Sequence, residues 1–197
     1  TSFVRDFDSD EPAVVQLRNA VEAYDALASG RDSEAMRYFR KDDWGEGAFD
    51  NFVWSAHLAA WNRDDEALAE IFGGLVESGR HGPTRDALEL NVQAARAARA
   101  GSVREAGTLY RQALDGWRAL GMRFEEAMTG LDMAVLLDPA DLDVQRAVQN
   151  SRVIFSELGA IPFLERLSAA VARSDPLAGA APTEAVSMAQ DEVPAGT

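Results

Sequence analysis

The chain of 197 residues carries 33 acidic against 19 basic side chains, a net charge of −14. That balance opposes general binding to nucleic acid, whose affinity comes from neutralising phosphates, and it leaves no polybasic stretch for an anionic membrane. The absence of cysteine excludes disulfide scaffolds, thiolate metal sites and cysteine nucleophiles, and no window approaches the ~18 apolar residues that a membrane helix needs.

With 47% hydrophobic residues there is ample material for a core. Abundant alanine, and Pro and Gly placed between helical stretches, predict an all-α fold. No signal peptide heads the chain, so a cytoplasmic location is expected. A start at Thr1 without Met fits a piece excised from a longer protein.

Residues 1–10 are polar and acidic and are expected to fray. From Glu11 to Ser29, Val14, Leu17, Val21, Tyr24 and Leu27 recur three and four apart, which predicts an amphipathic helix closed by Gly30. A short helix follows with Met36 and Phe39 inward. Asp42 to Gly47 reads as a loop, and Ala48 to Trp61 as the most aromatic helix. The spacing predicts further helices over 64–78, 85–100, 103–120, 123–137, 142–158 and 161–173. Thr84 is the expected N-cap of the helix from 85, and Ser102 with Glu105 the expected capping box of the helix from 103.

Gly121 and Gly159, 38 residues apart, end two helices alike. In the last helix Phe163, Leu164 and Leu167 are placed to cover the end of the stack, with Glu165, Arg166 and Arg173 toward water. Residues 174–197 are Pro, Gly, Ala and acidic residues without period, a disordered tail. Residues 11–173 form the helical-repeat domain.

A ten-residue pattern occurs three times, from Gly30 to Phe39, from Asn62 to Ile71 and from Gly101 to Tyr110. Each copy opens on a turn residue, has Glu-Ala fifth and sixth and a large apolar residue tenth. The starts lie 32 and 39 residues apart, a spacing of helical-hairpin repeats. Gly101, Ala106, Tyr110 and Ala113 match the second-helix signature of the tetratricopeptide (TPR) family, which this chain resembles. Gly30, Ala35 and Phe39 match three positions, with Asp42 at the fourth, and Asn62, Ala67, Ile71 and Gly74 match loosely. The first-helix signature is replaced by Leu90, Gln93, Ala94 and Ala97.

Residues 102–173, with Trp117-Arg118-Ala119-Leu120-Gly121 and Phe155-Ser156-Glu157-Leu158-Gly159-Ala160, are similar to the C-terminal TPR region of bacterial STAND-type regulatory ATPases and multidomain class III adenylate/guanylate cyclases. The resemblance implies a right-handed α-solenoid of about four hairpins with a short closing helix. It also implies a sensor or scaffold arm, with catalysis in other domains. It carries no catalytic residue and no cofactor onto this chain.

Candidate site residues are correspondingly few. Counting fifteen back from Ala67, Ala106 and Ala147 selects Phe52, Asn91 and Asp132, positions that in TPR relatives line the concave groove. Arg104, Arg111 and Arg118 are seven apart and share one helix face, fit for an anionic partner or for self-pairing with Asp115. His57 and His81 have no metal-ligand spacing and are expected to be structural or solvent-facing. The acidic pairs Asp42-Asp43, Asp64-Asp65 and Glu125-Glu126 read as surface or helix-start charge. The expected function is a non-catalytic protein-interaction module with a protein or peptide partner, and with self-association through apolar ends. The alternative is a small-ligand or peptide sensor acting through the groove.

Overall fold

The computed structural model describes residues 12–39 and 49–174. The expected frayed start, the loop at 42–47 and the tail after Ser174 lie outside the described residues. Among those described, every regular element is a helix: α1 (Pro12–Ala28), α2 (Asp32–Phe39), α3 (Phe49–Asn62), α4 (Asp65–Glu77), α5 (Pro83–Arg99), α6 (Val103–Ala119), α7 (Arg123–Leu136), α8 (Leu142–Glu157) and α9 (Ile161–Ser174). The chain is thus all-α. None of these helices is long and apolar enough to cross a membrane.

Five junctions share one device. Behind α1, α3, α5, α6 and α8 the chain turns through a left-handed residue: Gly30, Arg63, Gly101, Gly121 and Gly159. The next amide then donates back to the carbonyl five residues earlier, as from Met122 to Trp117 at 3.0 Å and from Ala160 to Phe155 at 2.8 Å. This is a Schellman closure, which satisfies carbonyls that a helix end leaves open. At the second copy of the ten-residue pattern the left-handed residue is Arg63, not Asn62, so that turn is shifted by one. A left-handed non-glycine residue is strained by about 1–2 kcal/mol, and Arg63 holds on by donating from Nη2 to the Val135 carbonyl at 3.2 Å.

The same closure prevents the capping box expected at Ser102. The Ser102 amide donates to Ala97 at 2.9 Å, so Glu105 cannot accept it, and the Ser102 hydroxyl makes no cap bond either. Thr84 lies inside the first turn of α5, which begins at Pro83 behind Gly82 and has no side-chain cap. Side-chain caps form instead at Asp64, accepting from Ala67 at 3.0 Å, and at Asp141, accepting from Asp143 at 2.7 Å.

Small residues set how closely helices approach. A Cβ on Gly116 of α6 would lie 3.1 Å from that of Ala87 on α5, and one on Gly130 of α7 would lie 2.9 Å from the Ala147 carbonyl of α8 and collide with Ser151 Oγ. One core joins α1 to α6, with Leu58, Leu68, Leu88 and Trp117 fully buried. A second joins α7 to α9 around Met128, Phe155 and Leu167. Trp54, Trp61 and Phe163 pack against both.

Two further contacts join helices distant in sequence. Helix α3 touches α7 directly as well as through α5. Helix α9 covers α7 and α8 and inserts Phe163 beside Phe124 (centroids 5.3 Å apart) and Trp54 (6.0 Å). Arg166, expected to face water, instead forks onto Asp32 of α2 at 2.6 and 2.7 Å and stacks over Trp61 at 4.5 Å.

Candidate functional site

Helices α3, α5 and α7 each contact the other two, and the polar residues on their facing sides meet there. His57 and Trp61 are four apart on α3 and so lie on one face, their rings 5.9 Å apart. Asn91 comes from α5 and Asp132 from α7.

The Asp132 carboxylate, 0% exposed, accepts three donors. Trp61 Nε1 donates to Oδ1 at 2.7 Å, Asn91 Nδ2 to Oδ2 at 2.8 Å, and His57 Nδ1 lies 2.9 Å from Oδ2 and 3.1 Å from Oδ1. A carboxylate without partners in so dry a place would cost several kcal/mol; three convergent donors offset that.

The node is not fully satisfied. His57 Nε2, Asn91 Oδ1 and the Tyr110 hydroxyl are buried without a hydrogen-bond partner among the described residues. Burial first, and then the charge of Asp132, push the Tyr110 phenol well above the ordinary tyrosine range, so it stays protonated.

Two hollows flank this junction. A cavity of about 140 Å³ has His57 in its wall beside Val53, Trp54, Met122, Phe124 and Met128, with Thr84 and Glu125 as its polar members. A groove of about 1040 Å³ runs between α6 and the facing ends of α7 and α8. Val103, Leu109, Met133, Leu137 and Val144 are its apolar members, and Arg104, Glu105, Arg111, Asp138, Asp141 and Asp143 its charged ones. It continues into a smaller hollow of about 330 Å³ that reaches Arg118 and Asn150, since Arg111, Met133 and Asp143 line both.

No family model, curated protein or solved structure matches this chain.

Of the residues selected from the sequence, Asn91 and Asp132 are brought together and bonded, but both are buried, at 1% and 0% exposed. Phe52 is elsewhere, packed so tightly under α4 that a Cβ on Gly74 would sit 2.9 Å from its ring. Arg104, Arg111 and Arg118 do line one continuous surface. Arg118 pairs with Asp115 at 2.9 Å and with Glu126 at 2.8 Å, while Arg111 reaches across to Asp143 of α8 at 3.0 Å. Arg104 has no ion pair among the described residues. Glu126, expected on the surface, is 6% exposed and also accepts from Asn150 at 2.8 Å.

His57 and Trp61 were the members not recognised from sequence. Their signal was present: two side chains with polar edges, four apart, in a helix otherwise apolar along that face. Chemically, a histidine held through Nδ1 by a carboxylate has a fixed ring orientation and presents Nε2. No hydroxyl, thiol or amine lies within hydrogen-bond reach of Nε2 among the described residues.

Proposed function

We propose that the chain is a non-catalytic protein-interaction module of TPR-like helical hairpins, serving as the scaffold or regulatory arm of a larger bacterial signalling protein in the cytoplasm. The observation that carries this reading is the continuous groove between α6 and the α7–α8 hairpin, with apolar residues between opposite charges. Val103 belongs to the apolar face of α6, yet it is 53% exposed where it enters the groove. Arg111 reaches across the groove to Asp143 at 3.0 Å, and Arg104, Glu105, Asp138 and Asp141 also line it. An extended or helical protein segment with apolar residues between charges of both signs fits such a surface, the charges setting register and on-rate.

Site-specific photo-crosslinking tests it. A crosslinker at Val103 is expected to trap a partner that one at Val153, exposed on α8, does not, and Arg111→Glu is expected to abolish the adduct. Equal trapping from both sites refutes the groove. A trapped second copy of the chain would make the module self-associating.

A sensor reading has its own support. Asn91 and Asp132 lie under the surface, but the cavity against His57 reaches the same node from outside, because most of its wall residues are part-exposed.

A further inference from the structure

We infer that the cavity beside His57 binds a small, neutral, mainly apolar molecule bearing one hydroxyl, of the size of a single aromatic ring. The inference deepens the sensor reading and rests on it. It shares no lining residue with the α6–α8 groove.

The site is built around a polar atom that the fold leaves unused. His57 is 1% exposed, its Nδ1 is committed to Asp132 at 2.9 Å, and its Nε2 has no partner among the described residues. A buried nitrogen in that condition is costly unless something pairs with it. His57 is one of the residues lining the cavity. A hydroxyl answers either state of the imidazole, donating to a bare Nε2 or accepting from an Nε2–H.

The other wall residues fix the remainder of the ligand. Val53, Met122 and Met128 are apolar, and Trp54 and Phe124, their centroids 5.8 Å apart, offer ring faces for a flat molecule. The methionines adapt to its outline. The volume, about 140 Å³, is close to the ~150 Å³ at which an apolar protein cavity accommodates benzene. Glu125 is the only carboxylate on the wall among the described residues and disfavours an anionic ligand. Trp61 and Asn91 keep Asp132, and through it His57, from turning to follow a ligand. The imidazole is therefore set before anything binds, which lowers the ordering cost of binding.

The test is a titration of the full chain with p-cresol and, separately, toluene, read by calorimetry and by the ring-nitrogen resonances of histidine. The chain has two histidines, and His81, exposed in the α4–α5 turn, serves as the internal control. The expected result is one site for p-cresol, a shift of the His57 Nε2 signal with His81 unmoved, and binding of toluene weaker by about tenfold or more. Val53→Phe, which fills the cavity without touching the Asp132 donors, is expected to abolish binding of both. If toluene binds as tightly as p-cresol and Val53→Phe blocks it, the cavity is a ligand site but the hydroxyl inference fails. If neither binds, or Val53→Phe binds them unchanged, the inference and the sensor reading of this cavity fall together.

Discussion

Asp132 and Asp115 are carboxylates answering to donors in the same small protein, yet they belong to different physical regimes. Asp132 has 0% of its surface exposed and collects an indole and an imidazole from α3 and an amide from α5. The Asp115 side chain is 76% exposed and pairs with an Arg118 side chain 58% exposed. In water the pair's attraction is screened and its entropy loss nearly cancels the gain. At the α3–α5–α7 junction nothing screens, so each donor removed leaves a charge or a polar edge stranded. The inner face therefore specifies how three helices meet, while the outer face is free to exchange its partners. A protein-binding surface needs that second property.

The contrast can be broken first at its centre. Asp132→Asn puts an amide NH₂ where donors converge and is expected to cost ~3–5 kcal/mol in chemical denaturation; a loss under about 1 kcal/mol would place Asp132 in the same class as Asp115. Next comes the packing that holds the junction. Gly130→Ala drives a methyl into the Ala147 carbonyl and Ser151 of α8 and is expected to cost ~1–3 kcal/mol, seen as a lower Tm.

Tyr110 separates burial from bonding. Its hydroxyl has no partner among the described residues, so Tyr110→Phe is expected to be neutral or stabilising at pH 7, by up to about 1 kcal/mol. The folded-state pKa is raised, so the protonated phenol's contribution is complete below the unfolded value near ~10 and is lost as pH climbs from there toward the folded value. Denaturation curves of the wild type should therefore fall more steeply above about pH 10 than those of Tyr110→Phe, by roughly one proton's worth, ~1.4 kcal/mol per pH unit. Parallel slopes would remove Tyr110 from the titration.

Smallest is Asp115→Ala, expected to cost ~0.2–1 kcal/mol and less in salt. Arg118→Ala should exceed it, since it also strips a partner from Glu126, which is 6% exposed.

The helices were legible because their signals are local. Three-and-four spacing and terminal glycines place the predicted ends, from residue 11 onward, within two residues of those observed. The capping box failed for a reason one residue away: the Ser102 amide already closes α5. The Ala67, Ala106 and Ala147 register selected Asn91 and Asp132, which meet, and the same register selected Phe52 where His57 is the residue that arrives. His57 and Asp132 are 75 residues apart in sequence, and no period within α3 says which way α3 leans on α7. That lean depends on Phe163 and Trp54 filling the space between them, a matter of volume that no single stretch encodes.

The fork of Arg166 onto Asp32 ties residues 134 apart and has a consequence for how the molecule comes apart. A row of hairpins held only neighbour to neighbour loses its ends first and melts in stages. Here α9 holds α2 through Arg166, whose guanidinium also stacks over Trp61, so α9 and α2 cannot part without breaking that tie. Calorimetric and van't Hoff enthalpies of melting should agree, as for a single cooperative unit, and amides of α9 should exchange as slowly as those of α3. Arg166→Ala should split the transition and release α9 first, loosening the tie between the two ends of the described helices.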